Sequence, residues 1–66
     1  MSVAKIIEIS SRSPESFETA IRDGITKAGE TVRDIQHAFV KTQQVIVENG
    51  EPVNYQVDLK ITFLVG

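Results

Sequence analysis

An α+β fold of order β-α-β-β, a three-stranded antiparallel sheet packed on one amphipathic helix, is predicted by this chain of 66 residues. Three observations carry that prediction. Residues 17–32 place apolar side chains at helical spacing, and residues 54–63 alternate strictly between polar and apolar. An Asn49-Gly50 pair, the strongest short hairpin signal, joins the alternating stretch to a second β-rich one.

Taken in order, residues 3–10 (VAKIIEIS) are β-rich and partly alternating, and predict a first strand that ends at the following SRSP. Ser13-Pro14 predicts the helix start. A serine oxygen can cap free backbone N–H groups, and proline at the first helical position gives up a donor that would be orphaned anyway. Glu15 and Glu18 put negative charge at the positive end of the helix dipole. The helix is predicted over residues 14–31. Its apolar face is Phe17, Ala20, Ile21, Ile25, Ala28 and Val32, and Glu18–Arg22 and Asp23–Lys27 are i, i+4 pairs on the opposite face. Gly24 and Gly29 weaken the helix, and each is expected to permit close approach to a sheet.

Residues 34–48 predict a long second strand, longer than its neighbour can pair, so that it bends or overhangs. Pro52 predicts a connection somewhat longer than two residues. In the last strand Tyr55, Val57, Leu59, Ile61, Phe63 and Val65 share one face. Asn54, Gln56, Asp58, Lys60 and Thr62 share the other. One helix covers only one face of such a sheet. The whole chain, residues 1–66, reads as one domain.

Composition narrows the function. A domain this small buries only about 60% of the surface that its unfolded chain exposes, so it needs reinforcement. With no cysteine and one histidine, disulfides, thiolate chemistry and a single-chain zinc site are excluded. Self-association through an exposed strand edge is the reinforcement that remains. Seven Lys and Arg against nine Asp and Glu, scattered along the chain, argue against a nucleic-acid or anionic-membrane partner. No apolar run approaches the roughly 20 residues of a membrane span, and the start lacks signal-peptide features. The cytoplasm is the expected location. Ser10, Ser11 and Ser13 have no nearby base and suit turns and caps, so no enzyme activity is expected.

KIIEI before a serine-rich turn, SPESFETAIRDGITKAGETV as the helix, and YQVDLKITF at the end together resemble the dodecins. The resemblance covers nearly the whole chain. It implies a hollow homododecamer that binds riboflavin or FMN without flavin chemistry, with the flavins stacked in pairs near symmetry axes. In that family a second-strand tryptophan carries the ring and a last-strand glutamine hydrogen-bonds its edge. The glutamine matches Gln56. The tryptophan position holds His37, in a chain without tryptophan. Gln44 stands where many members have an arginine at the ribityl or phosphate end, and Leu64 where another arginine is often found. The expected ligand contacts are therefore His37, Gln56 and Gln44, and the expected partners are further copies of the chain and a small flat aromatic molecule.

Other readings stand beside these. His37 is also read as a half-buried strand residue satisfied by a neighbour, or as a metal ligand shared between copies. Gln56 is also read as a polar strand residue satisfied by solvent or a cross-strand partner, and Asp58 and Lys60 as a solvated face, as pairing across the sheet, or as facing a shell interior. Calcium is associated with some dodecins, and Asp58, Glu8 or Glu48 would supply oxygens, but no metal site is expected from such scattered carboxylates. The alternative to flavin storage is a shell of the same shape that binds another ligand or a metal.

Overall fold

The computed structural model describes residues 3–65, so Met1, Ser2 and Gly66 of the expected domain lie outside the described residues. Strand β1 (Val3–Ser13) leads to helix α1 (Phe17–Ala28), then to strands β2 (Ile35–Glu48) and β3 (Glu51–Val65). The predicted β-α-β-β order is realised. Strand order across the sheet is β1-β3-β2, with both pairings antiparallel. The strictly alternating segment thus takes the central place, where one face can be buried completely. Val57, Leu59 and Ile61 on that face are no more than 1% exposed.

Helix α1 lies over β1 and β3. Its buried residues are Ala20, Gly24 and Ala28, one turn apart, and not the large apolar ones. Small side chains let the helix backbone settle on the sheet, while Phe17, Ile21 and Ile25 splay to the flanks and pack there half-buried. The ring of Phe17 meets Tyr55 edge-on, with centroids 5.2 Å apart and planes at 71°. At Gly24 an added Cβ would lie 3.0 Å from Ser11 Cβ and 3.2 Å from Leu59 Cδ1, so the expected close approach is present. At Gly29 it is not. That glycine caps the helix and would meet only the carbonyls of Ile25 and Thr26, each at 3.4 Å.

The helix is shorter than predicted at both ends. Ser16, not Ser13, is the N-cap, and its hydroxyl accepts from Thr19 N at 3.0 Å. Ser13 is committed to the sheet opposite Tyr55, so Pro14 belongs to the turn and not to the helix. The Ser13 hydroxyl is buried and accepts from Glu15 N at 3.0 Å, closing a serine turn. Beyond Ala28 the chain tightens, with Glu30 N bonded to Lys27 O and Thr31 N to Ala28 O, both at 3.1 Å. Glu18–Arg22 is formed at 3.8 Å, whereas Lys27 pairs with Glu30 at 3.2 Å instead of Asp23. Both pairs are solvent-exposed and contribute little.

Asn49 and Gly50, at φ 52° and 77°, form a two-residue turn, since Glu48 already faces Glu51. The longer loop expected from Pro52 is absent. Proline is tolerated in this central strand because β1 stops at Tyr55 and leaves its side of β3 unpaired there. Pro52 also adjoins a register irregularity between Ile46 and Val47. Strand β2 is paired along its length, contrary to expectation, because β3 is equally long; what overhangs is the two-stranded tip beyond β1.

Candidate ligand-binding site on the open sheet face

Among the described residues nothing covers the face of the sheet opposite α1, and its rows follow from the register, since directly opposed residues point to the same side. Ile6, Thr62 and His37 form one row; Glu8, Lys60 and Phe39 the next; then Ser10, Asp58 and Thr42; then Arg12, Gln56 and Gln44. The three expected ligand contacts therefore share one face. That sharing depends on a bulge. Strict alternation would send His37 and Gln44 to opposite faces, but the register shifts between Val40 and Thr42 and brings both to the open side.

The same register separates them lengthwise. Gln44 lies directly beside Gln56, whereas His37 opposes Thr62, six positions along β3, or about 20 Å. One chain does not bring His37 and Gln56 together. Around the exposed His37 the surface is apolar, with Ile6 and Phe39 each 62% exposed.

At the other end a polar network centres on Asp58. Its Oδ1 accepts from the Ser10 hydroxyl and its Oδ2 from the Thr42 hydroxyl, each at 2.6 Å, so the carboxylate ties all three strands together. Gln56 Nε2 also donates to Oδ1, at 3.4 Å. Lys41, the extra residue of the bulge, reaches over β3 to Glu8 at 3.1 Å. Arg12 Nε donates to Gln56 Oε1 at 2.7 Å. The network differs from the solvated face expected for Asp58, whose carboxylate is held by Ser10, Thr42 and Gln56. Arg12, Ser10, Thr42 and Lys41 were not expected there. Arg12 was out of reach of that reading because the first strand was predicted to end at residue 10, two positions short of the Gln56 row.

The Ser10 and Thr42 hydroxyls, then Gln56 and the nearby Lys41 charge, hold the Asp58 carboxyl below its ordinary value of 3.8, against the opposing effect of partial burial. Because the folded-state value is the lower one, the stabilisation is complete above the ordinary aspartate range and is lost as pH falls through the depressed value. Asp58→Asn should therefore flatten the fall in stability below pH 3.8, measured by urea unfolding at stepped pH. An unchanged acid limb would show that the three-strand tie carries no charge-dependent stability.

Concavities are shallow on this side. A hollow of about 220 Å3 is lined by Glu8, Ser10, Lys41 and Asp58, among others. The larger groove, about 550 Å3, runs between α1 and β1 on the opposite side and is lined by Ile7, Ile9 and Ala28 with Lys27 at its edge. None of His37, Gln44 or Gln56 reaches it. Among the described residues no group of three metal-binding side chains converges, and no helix is long and apolar enough to cross a membrane.

A helix on one face of a three-stranded antiparallel sheet, with a patterned polar and aromatic face left open, defines a small α+β protein of order β-α-β-β. A profile of the dodecin family matches residues 3–66, and the chain belongs to that family. It is 35% identical over 63 residues to calcium dodecin of Mycobacterium tuberculosis, covering 96% of this chain and 89% of the relative. The crystal structure of that calcium-chelating protein superposes with a TM-score of 0.84 at 34% identity, over 94% of this chain and 89% of the other. Dodecin from Streptomyces davaonensis gives a TM-score of 0.94 at 26% identity, over 98% and 96% of the two chains. An arginine-to-alanine variant of the Thermus thermophilus dodecin gives 0.94 at 27% identity, over 100% and 98%.

Proposed function

We propose that this chain is a non-enzymatic binding and storage subunit, assembling in the cytoplasm into a hollow homododecamer that sequesters riboflavin or FMN. The observation that carries the reading is that His37, Gln44 and Gln56 all lie on the sheet face that α1 leaves bare. His37 supplies a flat face for the ring, and the glutamines supply polar contacts. Because about 20 Å separates His37 from Gln56 within a chain, a ligand touching both bridges two copies. Exposed Ile6 and Phe39 beside His37 favour covering that end by a neighbouring copy or an aromatic ring.

Quenching of riboflavin and FMN fluorescence, on protein whose mass in solution has been measured, tests the reading. His37→Trp should tighten binding about two- to tenfold, since an indole gives a larger stacking face worth roughly 0.5–1.5 kcal/mol beyond area. Saturable quenching with that gain is the expected result. If the tryptophan variant binds no better than the wild type, His37 is not where the ring lies.

A second reading is calcium binding, favoured by the 35% identity to a calcium dodecin and by the Glu8, Ser10 and Asp58 oxygens around one hollow. Calcium takes six to eight oxygens, and here Lys41 occupies the hollow as the partner of Glu8. The Asp58 oxygens are likewise already engaged. A calcium-dependent rise in melting temperature without flavin quenching would replace the first reading by this one.

A further inference from the structure

The tip of the β2–β3 hairpin carries a reactive pair that the open sheet face does not use. The chain holds two asparagines, Asn49 and Asn54, and only Asn49 precedes a glycine. The backbone nitrogen after an asparagine can close a five-membered ring on the side-chain amide, and glycine, having no Cβ, obstructs that approach least. Asn49 and Gly50 are both exposed, and a Cβ built on Gly50 meets nothing within 4 Å. Water reaches the pair freely.

The turn itself opposes the reaction. Asn49, at φ 52°, lies in the left-handed well, where ψ is about +30 to +60°. Ring closure needs the Gly50 nitrogen nearly eclipsed with Asn49 Cβ across the Cα–C bond. In the left-handed well of an L residue the two lie nearly opposite each other. The folded two-residue turn therefore holds the reacting atoms apart, and the tip must open before they meet.

The tip is built to open readily. Strand β1 stops at Ser13, opposite Tyr55, so the chain between Tyr55 and the turn is held by the β2–β3 pairing alone. Glu48 and Glu51 stand directly opposite one another, and like charges so placed destabilise a strand pair. Pro52 supplies no N–H to the ladder, and the register shifts between Ile46 and Val47. Segments with few buried contacts open at a free energy far below that of global unfolding.

We propose that Asn49 is a deamidation site gated by the hairpin tip, so that its chemical state records how long the tip has spent open. In the open tip the Gly50 nitrogen bonds to Asn49 Cγ and the Cγ–Nδ2 bond breaks. The Gly50 amide proton leaves with Nδ2 as ammonia. Water then opens the succinimide ring at one of its two carbonyls. Attack at Cγ leaves aspartate, and attack at the backbone carbonyl leaves isoaspartate, whose main chain runs through Cβ. No electrons are gained or lost. Either product adds a carboxylate between Glu48 and Glu51, and isoaspartate also lengthens a turn that has room for two residues. Modification therefore loosens the tip further. The inference is independent of any ligand on the open sheet face.

The test follows Asn49 by peptide mass mapping in the folded protein and in protein unfolded in guanidinium chloride, at matched pH and temperature. The unfolded chain should gain one mass unit at Asn49, as NH2 is exchanged for OH, at least about tenfold faster than the folded chain. Asn54, followed by tyrosine and paired with Ile46, is the internal control and should lag far behind in both. Glu51→Lys replaces the opposed like charges by an opposite pair. It should slow the folded reaction severalfold and leave the unfolded rate within about twofold of the wild type. Equal rates in the folded and unfolded chains would overturn the gate, as would a Glu51→Lys variant that keeps the wild-type folded rate. An unfolded chain in which Asn49 reacts no faster than Asn54 would overturn the site itself.

Discussion

Leu59→Ala should abolish cooperative unfolding of the isolated chain, leaving little or no transition in a urea titration followed by circular dichroism. Leu59 is the largest fully buried side chain, 1% exposed, and lies at the centre of the middle strand under Gly24. Truncating a core leucine costs about 2–5 kcal/mol once the residual cavity is included. Total stability for 66 residues is on the order of 3–10 kcal/mol, so one substitution removes most of it. Leu59→Met is the control: it nearly conserves volume, costs less than about 1.5 kcal/mol, and should keep the transition. An alanine variant with the wild-type midpoint would mean that the helix–sheet contact is not the main source of stability.

Gly24→Val should destabilise by about 1–3 kcal/mol, the usual cost of forcing extra carbon into a packed contact. The nearest obstacle, Ser11 Cβ at 3.0 Å, is anchored to the β1 backbone and cannot swing aside, so the helix must lift from the sheet. Valine's better helix propensity returns only a few tenths of a kcal/mol. Gly29→Ala offers the contrast. Gly29 has φ −64° and only ordinary contacts around an added methyl, so alanine there should stabilise by about 0.4–1 kcal/mol through the unfolded chain. Equal effects of opposite-sized substitutions at the two glycines, read as midpoint shifts, would contradict the close approach at Gly24.

These two glycines also mark how far the sequence could be read. Spacing and alternation were enough to place the helix, the hairpin and the buried face of β3, because each depends on the periodicity of a single element. They were not enough to separate Gly24 from Gly29, since which glycine touches the sheet depends on where the helix begins. That start was set by the pairing of Ser13 with Tyr55, a contact 42 positions away in the chain, which outweighed the local Ser-Pro signal. The site divides in the same way. Gln56 follows from alternation. His37 and Gln44, being odd and even, share its face only through the bulge at Lys41, and no residue type announces a bulge there. The partnership of Arg12 with Gln56 required the β1–β3 register, which local patterns do not contain.

The placement of β3 between the other two strands also gives assembly of the domain an order in time. The β2–β3 hairpin closes through a two-residue turn, so its first contacts join neighbours and form on the microsecond scale of isolated hairpins. Strand β1 docks on the far edge of β3, where even the shortest-range pairing, Ser13 with Tyr55, closes a loop of 42 positions. The entropy of that closure falls on the last event. Half of the Arg12–Gln56 pair arrives only with β1, and so does the Ser10 bond to Asp58. The open face is therefore completed by the slowest step of folding, and it is the first to be lost when β1 comes away.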